Sequence, residues 1–307
     1  MRKDIRYVGL DVDSEKMAVA VAEPTGEVRS LGSIPYREES VRRLVKRLGP
    51  ASRLRACYEA GPHGYGLYWQ LAKLGVHCDV VAPTLVPVKS GDRVKTNRRD
   101  AEKLARCYRA GDLTAVWVPD AAHEALRDLV RAREAAKKDQ LRARHRLGKF
   151  LLRRSLRAAA GMRSWTAKHL LWVKTLRFEH VAQEITFLDY LHQVEHAVER
   201  VARLERAIDQ AIESAPAEMR ALIAGLQALR GIKSVSAATI VAEVGPLSRF
   251  SRPKQLMGYS GMVSSEDSTG DSVRRGAITK TGNAHLWAVG VQVEKEQLSG
   301  SQRRRAA

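Results

Sequence analysis

The sequence predicts an α/β domain over residues 1–120, a basic helical and coiled-coil region over 121–216, and a mainly α-helical C-terminal domain over 217–300, with a basic tail at 301–307. Three observations predict this. Apolar runs of strand length alternate with helical periodicity as far as Pro119. Strand signals stop at Asp120, where Arg and Lys become dense. The stretch from Gly258 to Gly282 then turns rich in Gly, Ser and Thr.

Each element has its own signal. Ile5 to Val12 is apolar and β-branched, Lys16 to Ala22 alternates as MAVAVA, and Val28 to Ile34 follows a turn at Gly26. A helix is expected from Glu39 to Leu48, with Val41, Leu44, Val45 and Leu48 on one face and Gly49-Pro50 as its stop. Strands over Arg53–Tyr58 and Val76–Val81 flank a helix over His63–Leu74. A helix from Asn97 to Ala110, closed by Gly111, precedes a short strand from Leu113 to Val118. Three meandering strands followed by alternating helices and strands give a sheet that is antiparallel on one side and parallel on the other, the order used by the ribonuclease H-like fold. Beyond Asp120, Leu126, Val130, Leu147 and Leu151 mark a helical face that runs to about Arg157. After a break at Ala160-Gly161, Leu191, Val194, Val198, Val201, Leu204, Ile208 and Ile212 repeat at 3/4 spacing. That spine suits either a packing face in a bundle or the seam of a coiled-coil dimer.

The chain has 307 residues, with 53 Lys+Arg against 34 Asp+Glu and a net charge of +19. Its hydrophobic content of 44% excludes a disordered basic tail. A folded chain with this charge needs an anionic partner, and nucleic acid is the commonest, through its phosphates. No run of about 18 apolar residues spans a bilayer, and Met1-Arg2-Lys3-Asp4 does not lead into a signal-peptide core, so a cytoplasmic protein without membrane contact is expected. Cys57, Cys78 and Cys107 have no zinc-ligand spacing and read as buried reduced thiols.

Acidic residues close two strands. Asp11 ends the run Tyr7-Val8-Gly9-Leu10-Asp11, and Glu59 occupies the same position in Ala56-Cys57-Tyr58-Glu59. An acid closing an apolar run is costly to bury unless it is paired or binds a metal. In this topology the first and fourth strands are neighbours, so the two acids converge. Asp100 lies in the first turn of its helix, with Asn97 on the same face. Converging acids of this kind suit one or two Mg²⁺ ions in phosphoryl transfer. Taken singly, each acid reads more simply as a surface or helix-start residue, and it is the three together that favour metal; Asp13 and Glu102 are nearby spares.

Arg131, Arg133, Lys137, Lys138, Arg142, Arg144, Arg146, Lys149, Arg153, Arg154 and Arg157 fall within 27 residues, beyond what Glu134 and Asp139 can neutralise, which points to RNA or DNA phosphate. Leu229 to Val235, followed by Ala237 to Gly245, reads as a helix-hairpin-helix with Lys233 at its turn. Gly270 to Gly282 combines Arg274, Arg275 and Lys280 in a flexible basic loop. Asn283 reads more simply as a helix cap than as a phosphate contact. Trp165, Trp172 and Trp287 are more often core residues than base-stacking platforms.

Gly9-Leu10-Asp11-Val12, Tyr58-Glu59-Ala60-Gly61 and Val94-Lys95-Thr96-Asn97-Arg98-Arg99-Asp100-Ala101 resemble, in order and spacing, the motifs of the DEDD-type insertion-sequence transposases. This is the bacterial IS-one-ten family of recombinases guided by a bridge RNA. Gly258-Tyr259-Ser260-Gly261-Met262, Ser265 to Gly270 and Arg274 to Asn283 resemble its second signature. The resemblance implies a RuvC-like domain holding Mg²⁺ through Asp11, Glu59, Asn97 and Asp100, and a coiled-coil arm that builds a homodimer or a dimer of dimers. It also implies a hydroxyl, Thr269 or Ser268, that bonds transiently to DNA, with a bridge RNA pairing to donor and target. Arg274, Arg275 and Lys280 would neutralise the transition state.

The chain departs from the family at three places. Asn97 stands where the family usually has Asp, Thr269 stands where its Ser precedes Gly, and Trp287 follows His285-Leu286 where the resemblance implies an Arg and a longer helix. A junction-resolving metal nuclease without a covalent intermediate, and an inactive nucleic-acid-binding relative, are the alternatives these residues leave open.

Overall fold

The computed structural model describes residues 5–88, 96–270, 272–291 and 293. Val94 and Lys95 of the third motif, and the tail at 301–307, lie outside the described residues. The chain divides into two compact units, residues 1–118 and 119–307.

The first unit is a five-stranded sheet in the order β3-β2-β1-β4-β5, built from β1 (Arg6–Val12), β2 (Lys16–Ala22), β3 (Val28–Pro35), β4 (Leu54–Glu59) and β5 (His77–Val81). The β1–β2 and β2–β3 pairs are antiparallel, while β1–β4 and β4–β5 are parallel. The mixed sheet is the one expected from the element order. Alternation within β2 explains its two faces. Met17, Val19 and Val21 join Val8, Leu10 and Tyr58 in a core under α1 (Glu38–Leu48) and α2 (Gly66–Lys73). Ala18, Ala20 and Ala22 face the other way, against Ala101 and Ala105 of α3 (Asn97–Ala110). Small residues on both sides let that helix approach closely. A Cβ at Gly9 would fall within 2.5 Å of the Ala105 backbone nitrogen, and closer still to the Ala101 carbonyl.

Two expectations need correction. The stretch from Leu113 to Val118 forms an isolated antiparallel bridge between Ala115 and Val81 rather than a strand, because β5 ends there and Pro83 turns the chain into a short 3-10 segment. The helix expected from His63 begins at Gly66, after a turn in which Gly64 has φ +62°.

The second unit is built on an antiparallel pair of long helices, α4 (Ala121–Leu152) and α6 (Val181–Ser214). At one end, Leu126 and Val130 pack with Ile208, α7 (Ala217–Gln227) and α8 (Ser234–Val244). At the other, Leu147, Phe150 and Leu151 pack with Phe187, Leu191 and α5 (Ala167–Thr175). Leu191, Val194, Val201 and Ile208 of the spine are buried inside the chain, while Val198 is exposed. Most of the spine is therefore a packing face within the bundle. The chain continues through α9 (Pro253–Tyr259), a hairpin of β6 (Ser264–Glu266) and β7 (Arg275–Ile278), and a helical stretch at 284–291. Among the described residues no helix is long and apolar enough to cross a membrane. Cys57 and Cys78 are buried, and burial pushes both thiols well above the ordinary range.

Candidate active site

Asp11 is the penultimate residue of β1, and Glu59 is the last of β4. The strands pair in parallel register, Gly9 with Cys57 and Leu10 with Tyr58, so Asp11 and Glu59 come next along the ladder. Side chains alternate along a strand, so Asp11 shares the face of Gly9, and Glu59 that of Cys57. That is the α3 face: the helix backbone covers Gly9, and Cys57 Sγ lies 3.8 Å from the Leu104 carbonyl.

The helix runs antiparallel to β1. Tyr108, near its end, meets Tyr7 edge-on with ring centroids 5.6 Å apart and donates to the Asp79 carboxylate at 2.5 Å. Its first turn, with Asn97 and Asp100, accordingly lies toward the sheet end that carries Asp11 and Glu59. Thr96 supplies the cap, its hydroxyl accepting from the Arg99 N–H at 3.3 Å. Capping therefore does not occupy Asn97 or Asp100.

Three carboxylates and an amide oxygen are hard donors of the kind Mg²⁺ takes. Among the described residues, no three His, Cys, Asp or Glu side chains gather into a metal cluster. The acids mark one end of the sheet without closing a cage. Asp13 accepts from the Ser14 N–H at 2.7 Å and Glu102 pairs with Arg98 at 2.9 Å, both local roles.

In the helical unit, the two candidate hydroxyls differ. Ser268 Oγ donates to Glu266 Oε1 at 2.9 Å and accepts from the Arg274 N–H at 3.3 Å. Arg275 holds the other Glu266 oxygen at 3.4 Å. Thr269 contributes its backbone, exchanging hydrogen bonds with Ser272 in the turn. Lys280 adopts φ +55° and lies over the Trp287 ring, 5.7 Å from its centroid.

The basic helix has more internal partners than its own sequence offers. Arg133 pairs with Glu205 and Arg131 with Glu243, from helices far along the chain. Arg142 pairs with Asp139, Arg146 donates to Gln193 at 2.8 Å, and Arg154 donates to the Phe150 carbonyl at 3.1 Å while covering its ring. Lys149, Arg153 and Arg157 are exposed. So is Lys233, which precedes α8 after a turn where Gly231 has φ +88°.

Sequence reasoning assigned no role to Glu266 or Glu243. Glu266 stands two residues before Ser268, close enough to be noticed as a partner. Glu243 is a lone acid in the apolar helix Val235 to Val244, a pattern that demands a buried counter-charge. It is fully buried, held by Arg131 at 2.7 and 3.0 Å and by Asn283 Nδ2 at 2.8 Å. Asn283 also caps 284–291, its Oδ1 accepting from the His285 and Leu286 N–H groups at 3.0 and 3.2 Å. The simpler reading of Asn283 as a cap thus holds.

Comparison with known proteins defines the class. A DEDD transposase family carrying the IS110 label matches residues 8–154, and the Transposase IS116/IS110/IS902 family matches residues 224–298. The protein y4qE of Sinorhizobium fredii, which carries a transposase name, is 43% identical over 91% of this chain and 68% of its own length. The transposase for insertion sequence element IS1533 of Leptospira borgpetersenii is 33% identical over 78% of this chain and 69% of its own. The chain belongs to the IS110 family of transposases and spans about two thirds of the length of these relatives.

Proposed function

We propose that this transposase cuts and rejoins DNA strands through a transient phosphoester on Ser268, in a Mg²⁺-dependent reaction guided by a bridge RNA. The observation that carries the reading is the adjacency of Asp11 and Glu59 on neighbouring strand ends, with the first turn of α3 directed to the same end. That adjacency supports reading the site as ribonuclease H-like and RuvC-like. Asp11, Glu59, Asn97 and Asp100 would hold the cation, which when bound would supply positive charge for phosphoryl transfer.

The chain's own residues would supply the rest. Glu266 takes the Ser268 proton as Oγ bonds to the DNA phosphorus; the bond to one deoxyribose oxygen breaks, that oxygen takes a proton from solvent, and the strand leaves with a free hydroxyl while Glu266 returns its proton to water. Arg275 steadies Glu266. Arg274 and Lys280 offer positive charge to the phosphoryl oxygens. The Ser268–Glu266 hydrogen bond favours Ser268 over Thr269. Lys149, Arg153 and the partly engaged Arg142, Arg146 and Arg154 toward the end of α4, and Lys233 before α8, offer cations to RNA and DNA backbones. A homodimer or dimer of dimers would bring element ends and target together.

A suicide-substrate assay with bridge RNA, paired DNA and Mg²⁺, resolved on a denaturing gel, tests this. A covalent adduct should form with the unaltered chain and with Thr269→Ala, vanish with Ser268→Ala, and form about 100-fold more slowly with Glu266→Gln, the scale of a lost general base. Cleavage that survives loss of both hydroxyls would replace the reading with a resolvase-like nuclease. RNA binding without cleavage in any variant would make this a binding-only relative.

A further inference from the structure

We propose that the cleft between the end of α4 and α5 is a binding site for one unpaired nucleotide, its base lying on an indole and its phosphates against the rim. The inference rests on the reading of the chain as a nucleic-acid-handling protein, and concerns a site separate from the strand-end acids and Ser268.

The cleft has a volume of about 420 Å³, within the ~300–1,000 Å³ of small-ligand pockets. Its wall is an aromatic ladder. Trp165, His169 and Trp172 follow one another with ring centroids 5.4 Å apart at each step. Trp165 has φ +66°, a strained backbone for a residue with a side chain, and this places its indole along the cleft. Arg144 lies over that indole, 5.5 Å from the centroid.

Two polar atoms here are buried without a hydrogen-bond partner, Arg144 Nε and His169 Nδ1. The His169 residue is only 7% exposed, and burial lowers its imidazole below the ordinary value, which favours the neutral ring. An unpaired nitrogen buried this deeply is costly unless something completes it. A guanidinium N–H and a neutral imidazole are suited to the donors and acceptors on a base edge. The rim is basic, with Lys149 and Arg157 both exposed. Gly148 lines the same space, and a Cβ there would lie 3.9 Å from the Trp165 ring. Glycine inside a helix is destabilising relative to Ala, and at this position it keeps the cleft open. A stacking platform with cations beside it is the usual grip on single strands, and a duplex cannot present a base to it.

The test uses the full chain with three labelled probes of about 12 nucleotides: oligo(rA), oligo(dA) and a DNA duplex, read by anisotropy and tryptophan quenching. Gly148→Leu fills the cleft without altering charge, and Trp165→Leu removes the platform; circular dichroism and unfolding midpoints identify which variants remain folded. Each folded variant should bind single strands about tenfold more weakly and the duplex unchanged. Loss on oligo(rA) alone assigns the cleft to RNA through the 2′-hydroxyl; loss on both single strands assigns it to any unpaired strand. Unchanged single-strand binding in the folded variant, or equal loss on the duplex, overturns the proposal. The Ser268 adduct does not report on the cleft, so either reading can fail without the other.

Discussion

The two units treat carboxylates in opposite ways. In the helical unit Glu243 is fully buried, bracketed by Arg131 and Asn283 with Arg127 3.8 Å away, while its own backbone carbonyl accepts from Tyr259. In the sheet unit Glu59 ends its strand exposed, beside a half-buried Asp11. A buried charge surrounded by fitted donors ties three segments together and has no capacity left for a ligand. Glu59, exposed at the end of its strand, contributes little to the fold, and the metal-holding role proposed for it would account for its position. The contrast separates architecture from chemistry within one chain, and it predicts that substitutions will divide the same way.

The largest effect on stability should come from Glu243→Ala. It removes the buried carboxylate that Arg131 and Arg127 approach, and breaking such a buried pair costs about 3–5 kcal/mol. Urea unfolding would measure it. Glu59→Gln should change stability by less than about 0.5 kcal/mol while abolishing strand cleavage. A Glu243→Ala protein as stable as the unaltered one would dissolve the distinction.

Gly9→Ala comes next. The added methyl meets the Ala101 and Ala105 backbone, so α3 must shift from β1, at about 1–3 kcal/mol for overpacking. Because α3 carries Asn97 and Asp100, this substitution should reduce cleavage as well as stability. Full activity in a destabilised Gly9→Ala protein would show that the position of α3 is irrelevant to the chemistry.

Acid should act on the helical unit first. Burial alone would raise the Glu243 carboxyl, but hydrogen bonds from Arg131 and Asn283 and the nearby guanidinium charges outweigh it, and the group is held below the ordinary 4.5. Glu134 shifts the same way: burial opposes, and Lys138 and His285 prevail. A depressed folded value contributes stability that is fully present above the unfolded value and is lost as pH falls through the folded one. Unfolding midpoints should therefore decline below about pH 4.5, and Glu243→Gln should flatten that decline. An equally steep acid limb in the variant would assign the loss to other groups.

Local pattern made much of this legible. The alternation of β2, the bounds of α3 and the strand-end acids follow from period and punctuation, which act over a few residues. Long-range pairing did not announce itself. The crowd of Arg and Lys on α4 looked unneutralised because Glu205 and Glu243 come from helices more than 70 residues away. The 191–212 spine could not reveal its partner, since a face that packs on α4 and one that packs on a second copy have the same period. By position before Gly270 the sequence pointed to Thr269 as readily as to Ser268, and it is the turn of the hairpin that hands Glu266 to Ser268.

Asn97→Asp should move stability little and sharpens the contrast most. Asn97 is exposed in the first turn of α3, where an added negative charge meets the positive end of the helix dipole and gains about 0.3–1 kcal/mol at most. Its effect on metal should be larger, because a carboxylate adds a charge that an amide oxygen lacks; Mg²⁺ should bind about tenfold more tightly. Titration calorimetry with Mg²⁺ and the adduct assay at limiting Mg²⁺ would read it. A gain in both, at nearly unchanged unfolding free energy, would mean that Asn97 weakens the site without harming the fold. No change in Mg²⁺ affinity would remove Asn97 from the metal set and leave Asp11, Glu59 and Asp100 to hold the ion.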